Sequence, residues 1–233
     1  MKAVIHTSGL EKTYSDSGVP VRAVRGVDLD IAPGEFTAIV GPSGSGKTTL
    51  LNMLGGLDEP TGGCIEVDGR DLGSLRPAEL AEFRLRHIGF VFQAYNLVPV
   101  LTARENVEFI MLLQRRPAAE RKTRAAELLE AVGLSDLTDR RPHRLSGGQQ
   151  QRVAVARALA SEPTFVLADE PTANLDSESA EQLLDIMEDL NRERGMTFVF
   201  STHDPRVMKR ARRVLTLTDG RITADGSYEG EIA

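Results

Sequence analysis

The sequence predicts an α/β fold in which helices cover a mostly parallel sheet, with a block of helices inserted into it. Two observations support this prediction. Short apolar runs of four or five residues alternate along the chain with stretches of helical periodicity, which is the pattern of a parallel sheet. A glycine-rich segment at residues 41–48 also follows one of these runs directly, where a strand would pass into a helix.

The composition is that of an ordinary folded domain. The chain has 233 residues, of which 41% are hydrophobic and 27% charged, and this excludes disordered and fibrous classes. At about 150 residues per domain the length allows one or two domains. The net charge of −6 argues against a protein that mainly coats nucleic acid or anionic lipid. The single cysteine, Cys64, excludes an internal disulfide, and we expect it to be a small strand hydrophobe.

No segment has the length and apolarity of a membrane span. The apolar stretch at residues 3–5 is too short for the core of a signal peptide, and no apolar run approaches about 18 residues. We therefore expect a cytoplasmic chain that reaches a membrane only through a partner.

The buried strands are predicted from short apolar runs bounded by turn residues. Residues 36–40 (FTAIV) and 88–92 (IGFVF) are the clearest examples, and each has the length of a buried strand. The complete set of predicted strands is residues 36–40, 64–67, 88–92, 165–168, 197–200 and 214–217.

The middle of the chain is predicted to be helical. Thr102 and Glu105 form a T-x-x-E capping box before a helix at residues 103–114. Two more helices are predicted, one from the stripe Ala125, Leu128, Leu129, Val132 and one at residues 149–160. We therefore expect a helical subdomain at residues 95–161, flanked by an α/β core at 1–94 and 162–233. Leu183, Ile186, Met187 and Leu190 mark a later helix that returns to the sheet.

The segment at residues 41–48 (GPSGSGKT) matches the phosphate-binding pattern G-x-x-x-x-G-K-[ST] in full. Its glycines allow backbone N–H groups to turn toward phosphates, and Lys47 supplies a positive charge. The Thr48 hydroxyl can ligate Mg²⁺, and the following helix adds the positive end of its dipole. The predicted phosphate-binding residues are Gly41, Pro42, Ser43, Gly44, Ser45, Gly46, Lys47, Thr48 and Thr49.

An acidic pair follows the apolar run at residues 165–168. Asp169 would stand at the carboxyl edge of the sheet, where it can hold Mg²⁺. Glu170, one residue later, can reach a water at the terminal phosphate and act as a general base. Beside the phosphate loop, these two carboxylates predict a nucleotide hydrolase.

With residues 145–149 (LSGGQ), the sequence resembles the ATP-binding-cassette (ABC) ATPases. The whole series of their motifs is present in order: the phosphate loop, Gln93 after Phe92, LSGGQ, the acidic pair, the loop at 174–176 and His203 in Ser-Thr-His-Asp. The resemblance covers residues 4–226. It implies a P-loop core with a small antiparallel β part and a helical insert, and ATP and Mg²⁺ as cofactors.

The resemblance also assigns roles to single residues. It implies that Gln93 reaches Mg²⁺ and the attacking water, that His203 bonds the γ-phosphate, and that Tyr14 stacks on adenine. Each has an ordinary alternative, as a polar strand end, a cap and a packed strand aromatic respectively. Asp176 would touch the opposite subunit's site, or cap the helix that begins near Ser177, or both.

The LSGGQ segment would form a second anion site, made of the Ser146 hydroxyl and the N–H groups at a helix N-terminus. Two distant anion sites on one chain cannot hold one triphosphate. The resemblance therefore implies a head-to-tail homodimer that encloses two ATP molecules. The residues of the second site are Ser146, Gly147, Gly148 and Gln149.

A narrower resemblance is to the lipoprotein-releasing and macrolide-export (LolD/MacB-type) ATPases. It rests on residues 93–107 (QAYNLVPVLTARENV) and on the insertion at residues 15–21. It implies an integral membrane permease as partner, docked on residues 93–107, a position on the cytoplasmic face of the inner membrane, and no nucleic acid. The function would be export, lipoprotein release or mechanotransmission.

Two other functions stay open from the sequence. One is a soluble ABC ATPase of translation or DNA repair, although the chain has only one phosphate loop and no long heptads. The other is a non-transporting complex that regulates cell-envelope enzymes.

Overall fold

The computed structural model of the chain describes residues 2–15 and 18–228. Asp16 and Ser17, in the insertion at residues 15–21, lie outside the described residues. The strands are β1 (Ile5–Tyr14), β2 (Val21–Ile31), β3 (Phe36–Val40), β4 (Gly62–Val67), β5 (Arg70–Asp71), β6 (Ile88–Val91), β7 (Phe165–Asp169), β8 (Thr197–Ser201), β9 (Arg213–Thr218) and β10 (Arg221–Gly226).

Helices follow most of the strands of the core and fill the middle of the chain. They are α1 (Lys47–Leu54), α2 (Pro77–His87), α3 (Ala103–Leu113), α4 (Ala118–Ala131), α5 (Gly147–Leu159), α6 (Ser177–Arg194) and α7 (Pro205–Arg210). Within the described ranges, no helix is both long and apolar enough to cross a lipid bilayer.

The larger sheet has the strand order β10-β9-β3-β8-β7-β6. Strands β9, β3, β8, β7 and β6 are parallel, and β10 pairs antiparallel with β9 at the edge. All five residues of β3 and of β8 are buried, which explains why these strands are continuous apolar runs. The apolar runs therefore predicted the five parallel strands of this sheet correctly and missed the antiparallel edge strand β10.

The smaller sheet is antiparallel, in the order β2-β1-β4-β5. The apolar runs had grouped residues 64–67 with the parallel strands, and that grouping is wrong. Ile65 and Val67 of β4 pair antiparallel with β1, opposite Thr7 and Ile5. Half-buried Cys64 is a strand residue, as expected. Strands β1 and β2 lack a regular apolar alternation because the register shifts three times between them.

Two helices of the core, α2 and α7, were not predicted. Pro77 opens α2, and Glu79 accepts from the Arg76 backbone N–H at 3.0 Å, so the start signals were present. Only Phe83 of α2 is fully buried, however, and the apolar stripe that identifies a helix is therefore missing. The capping box of α3 is confirmed: the Thr102 hydroxyl accepts from the Glu105 N–H, and Glu105 accepts from the Thr102 N–H.

Both faces of the larger sheet carry hydrophobic cores. Phe198 and Phe200 of β8 face one core, which includes Val107 and Leu128 of the helical segment. Val199, between them, faces the other core together with residues of α1 and the smaller sheet. One hydrophobic cluster thus connects the helical segment to the sheet, and the subdomain boundaries at residues 95 and 161 stay a prediction.

We expect Phe198→Ala to lower the free energy of unfolding by about 3–5 kcal/mol, because it leaves a cavity in the core. Phe198 is fully buried and its ring lies 5.7 Å from that of Phe36. Phe109→Ala is the control, since Phe109 is 37% exposed, and should cost less than about 1 kcal/mol. Urea unfolding followed by circular dichroism measures both. Equal losses would contradict this description of the core.

Candidate functional site

Four loops of predicted site residues meet at the carboxyl edge of the larger sheet. They follow β3, β8, β7 and β6, which lie next to one another in that order. Backbone hydrogen bonds continue past the strand ends: the Thr202 N–H donates to the Ile39 carbonyl at 3.0 Å, and the Glu170 N–H to the Ser201 carbonyl at 2.8 Å. This edge therefore brings residues 41–48, His203, Glu170 and Gln93 onto one side of the sheet.

Two glycines of the phosphate loop could not be another residue. Gly41 and Gly46 have φ of 152° and 102°, and a Cβ on either would overlap a backbone carbonyl oxygen. The carbonyls belong to Leu217 in the first case and Ala23 in the second. The loop thus packs against β2 and β9. Among its other residues, Pro42, Ser43 and Gly44 are exposed and Ser45 is buried.

The loop presents a cation and unpaired donors. The Lys47 ammonium donates to the Gly41 and Pro42 carbonyls at 2.8 and 3.1 Å, which holds it over the loop. Within residues 2–15 and 18–228, no side chain caps the N-terminus of α1 at Gly46. The first N–H groups of α1 are therefore available to an anion, with the helix dipole behind them.

The predicted metal ligands are adjacent. The Thr48 hydroxyl donates to Asp169 Oδ1 at 3.2 Å, across the gap between the loop and β7. Burial raises the pKa of the Asp169 carboxyl, and the neighbouring Glu170 charge adds to this rise. A hydroxyl and a partly desolvated carboxylate fit Mg²⁺, which takes oxygen ligands and completes its shell with phosphate and water oxygens.

Glu170 and His203 form a hydrogen-bonded pair. His203 Nδ1 lies 2.7 Å from Glu170 Oε1, and the Thr202 hydroxyl donates to Glu170 Oε2 at 3.3 Å. Glu170 has φ of 45°, a left-handed conformation that non-glycine residues adopt at a cost of about 1–3 kcal/mol. Two flanking hydrogen bonds and a strained backbone fix the direction in which this carboxylate faces.

A cleft of about 460 Å³ lies in front of the loop, and most of the predicted phosphate and catalytic residues line it. Gln93 is one of them, although its side chain comes from the loop after β6. The predicted site residues in the lining are Ser43, Gly44, Gly46, Lys47, Thr48, Thr49, Gln93 and Glu170.

The cleft also contains residues that the motifs did not predict. They come from the start of β2 and from the turn between β9 and β10. Two of them are arginines, Arg22 and Arg25. The sequence could have pointed to a role for them only through their positive charge. The full group is Val21, Arg22, Ala23, Arg25, Asp219 and Gly220.

Tyr14 lies at the end of β1, beside the loop. Its ring is 37% exposed, and its hydroxyl donates to Asp58. Burial, followed by the Asp58 hydrogen bond, raises the pKa of the Tyr14 hydroxyl, while the nearby Thr49 hydroxyl lowers it. Tyr14 is thus exposed, which differs from the packed strand aromatic that was the alternative to adenine stacking.

The LSGGQ residues form a separate group outside the cleft. Ser146 caps α5, since its hydroxyl accepts from the Gln149 N–H at 3.3 Å and Gln149 accepts from the Ser146 N–H at 3.0 Å. A Cβ on Gly148 would meet Ser179 at 2.7 Å, and one on Gly147 would meet the Tyr95 hydroxyl at 2.8 Å. Close packing therefore explains both glycines.

Asp176 belongs to this second group. Its carboxylate accepts from the Ser179 backbone N–H at 2.9 Å and from the Ser179 hydroxyl at 2.7 Å, so it caps α6 as the alternative predicted. The backbone hydrogen bond lowers the pKa of the Asp176 carboxyl. Asp176 is exposed, which leaves it accessible to a second molecule.

The segment at residues 93–107 lies between the two groups and is held by polar side chains, of which Asn106 is buried. Asn174 donates to the Gln93 carbonyl at 2.9 Å. Arg157 donates to the carbonyls of Tyr95 and Asn96, which both have left-handed φ. Asn106, fully buried, accepts from the Val98 N–H at 2.8 Å. These bonds fix the segment against α5 and α3.

The ABC transporter family profile matches residues 24–173. Among curated relatives, an uncharacterized ABC transporter ATP-binding protein of Thermotoga maritima is 50% identical over 95% of this chain and 94% of its own. The lipoprotein-releasing system ATP-binding protein LolD of Anaeromyxobacter dehalogenans is 49% identical over 96% and 94%. The macrolide export ATP-binding/permease protein MacB 1/2 of Paracoccus denitrificans is 49% identical over 95%, and this chain spans 33% of that protein.

Solved structures agree with these sequence matches. A dimeric ATP-binding cassette in a post-hydrolysis state, bound to ADP and Pi, superposes with a TM-score of 0.89 at 42% identity. The match covers 97% of this chain and 100% of the other. Fold, site geometry and sequence relatives thus lead to one conclusion: the chain belongs to the ABC transporter family and is one of its ATPase cassettes.

Proposed function

We propose that this chain is the ATP-hydrolysing motor of a membrane transporter, and that two copies close head to tail over two ATP molecules to drive a separate permease. One arrangement carries the proposal. Glu170 lines the phosphate-loop cleft and His203 lies 2.7 Å from it, while the Ser146 group lies outside the same cleft.

Within one site, the phosphate loop holds the nucleotide and Glu170 performs the proton transfer. Lys47 and the N–H groups of α1 bind the β- and γ-phosphates, and Thr48 and Asp169 bind Mg²⁺, with Gln93 completing its surroundings. When bound by these residues, Mg²⁺ would supply charge neutralisation at the phosphates. Glu170 accepts a proton from water as the water oxygen bonds to the γ-phosphorus. The bond to the bridging oxygen breaks, and ADP and phosphate leave.

The contact between His203 and Glu170 supports roles for both residues. In the doubly protonated form of His203, Nδ1–H donates to Glu170 and Nε2–H can donate to a γ-phosphate oxygen. A carboxylate that is already oriented loses little freedom when it meets its water, which is the condition for efficient general-base catalysis.

The second group completes the site of another copy. The exposed Ser146 hydroxyl and the N-terminus of α5 supply donors for a γ-phosphate, and exposed Asp176 lies beside them. Because these donors lie outside the chain's own cleft, a head-to-tail partner is the simplest way to use them. The dimeric cassette among the structural relatives supports this arrangement.

The permease is proposed to dock on an apolar cleft next to residues 93–107. The cleft has a volume of about 790 Å³ and lies between α2 and α3. Val98, Phe109 and Leu113 line it, and the last two are 37% and 49% exposed. Exposed apolar surface of this kind often marks a protein interface. Arg157 lines the same cleft and holds Tyr95, so docking there would act on the Gln93 loop.

The relatives name two kinds of transporter. One is called a lipoprotein-releasing system ATP-binding protein and another a macrolide export ATP-binding/permease protein. We propose a transporter of this type for the present chain, with the cassette on the cytoplasmic face of the inner membrane. This chain spans 33% of the ATP-binding/permease relative.

Lys47→Ala should abolish Mg²⁺-dependent ATP hydrolysis, because it removes the charge that neutralises the terminal phosphates. A coupled phosphate-release assay measures the rate. EDTA should have the same effect on the unmodified protein. Hydrolysis that persists in the Lys47→Ala protein, or in EDTA, would rule out this assignment.

Glu170→Gln should slow hydrolysis about 10²–10⁴-fold and leave ATP binding intact, because the amide cannot accept the proton. With Mg-ATP the protein should accumulate as a dimer holding two ATP molecules, and with ADP it should stay monomeric. Light scattering distinguishes the two states. Adding Ser146→Arg, which places a bulky cation in the second site, should prevent the dimer. A Glu170→Gln protein that stays monomeric in saturating Mg-ATP would contradict the enclosed-nucleotide mechanism.

Leu113→Glu should detach the chain from the membrane fraction, since it places a charge in the apolar cleft. Leu112→Glu is the matched control: Leu112 is 50% exposed on the same helix and does not line the cleft. Fractionation of tagged protein at native expression, with crosslinking, measures the association. The hydrolysis rate of the purified proteins should be similar. Equal loss of membrane association in both variants would argue against this docking surface.

A further inference from the structure

Tyr14 is held from two sides although its ring is exposed. Its hydroxyl donates to Asp58 Oδ2, and the Lys12 ammonium lies over its ring, 4.9 Å from the centroid. Lys12 also donates to Asp58 Oδ1 at 2.5 Å and to the Glu59 carbonyl at 2.7 Å. Asp58 therefore accepts from the Tyr14 hydroxyl through Oδ2 and from the Lys12 ammonium, which covers the ring, through Oδ1.

Asp58 itself has a rigid position. It lies in the turn that follows α1, and the backbone N–H groups of Leu57 and Asp58 both donate to the Asn52 carbonyl, at 2.8 and 3.3 Å. The Asp58 side chain is 24% exposed. Since α1 begins at the phosphate loop, one short helix connects that loop to the carboxylate that holds Tyr14.

We propose that Asp58 is a positioning residue for base recognition: it fixes the Tyr14 ring, together with Lys12, in the orientation that receives the adenine. This inference rests on the proposed stacking of Tyr14 on the nucleotide. Lys12 covers one face of the ring, and Tyr14 remains 37% exposed, so a base would stack on the face that Lys12 does not cover. An aromatic side chain fixed before binding loses less conformational freedom when a ligand stacks on it, so the ligand binds more tightly.

The proposal separates base recognition from phosphate recognition. Asp58 makes no hydrogen bond to residues 41–48 among the described contacts. Its removal should weaken ligands that carry adenine and leave base-free phosphates unaffected. In steady-state ATP hydrolysis, removing the Asp58 side chain should raise KM for ATP and keep kcat within about twofold of that of the unmodified protein.

Calorimetry with Mg-ADP, and competition of inorganic triphosphate against it, tests this on the full chain. Asp58→Ala should weaken ADP binding about two- to tenfold, the range for a net loss of one hydrogen bond. Inorganic triphosphate should bind unchanged. Glu59→Ala is the matched control, because it removes the same charge from the next residue and leaves the Glu59 carbonyl in place. It should change neither affinity.

A double-variant cycle tests whether Asp58 acts through Tyr14. Tyr14→Ala should weaken ADP binding about five- to hundredfold, the range for losing base stacking. Asp58→Ala added to Tyr14→Ala should have no further effect on ADP affinity. A further loss in that background, or an equal loss of triphosphate affinity, would refute the positioning role and leave Tyr14 stacking intact. If Tyr14→Ala alone binds ADP with unchanged affinity, Tyr14 does not stack on adenine. The positioning role of Asp58 is then refuted as well. Melting temperatures identify variants that lose affinity through unfolding.

Discussion

The hydrogen bonding of β8 on both sides is the interaction on which the site depends. Ser201, its last residue, lies opposite Ile39 of β3 and Asp169 of β7 at the same level of the sheet. Because one strand fixes both neighbours, the loops that follow all three strands begin at one height. The phosphate loop, the acidic pair and His203 are therefore within reach of one another.

The smaller antiparallel sheet contributes to the site through close backbone approach. A side chain at Gly46 would overlap the Ala23 carbonyl of β2, and the Gly220 N–H donates to the Ser45 carbonyl at 3.0 Å. The phosphate loop is thus held between β2 of the smaller sheet and the turn that joins β9 and β10 of the larger one, neither of which carries a motif. The same contacts bring Arg22 and Arg25 to the cleft, where two cations suit an anionic ligand.

The two helix N-termini proposed to meet phosphate differ in a physically meaningful way. At α1 no side chain caps the first turn, so its N–H groups can bind an anion directly. At α5 the Ser146 hydroxyl and Gln149 form a reciprocal cap. A phosphate at α5 must therefore replace or share that cap. The net free energy of binding a phosphate there is correspondingly smaller. This difference fits a nucleotide phosphate that binds at α1 in each copy and is contacted at α5 only while two copies are closed together.

The sequence by itself determined the chemistry of the site and most of the core. Residues 41–48 have a pattern that only a phosphate loop requires, and buried parallel strands are continuous apolar runs because both of their faces are covered. These signals are local, so they can be identified without coordinates. The apolar runs did not predict β1, β2, β5, β10, α2 or α7. Bulges break the alternation of β1 and β2, and a single buried residue leaves α2 without a stripe.

Only the tertiary structure decided what surrounds the motifs. Asp58 and Tyr14 are 44 residues apart, and no spacing rule connects a turn after α1 to the end of β1. The insertion of β8 between β3 and β7, which places His203 next to Glu170, is likewise set by strand order and not by any segment alone. Such contacts depend on how whole elements pack, and a sequence pattern records a residue's local periodicity but not the elements it will meet.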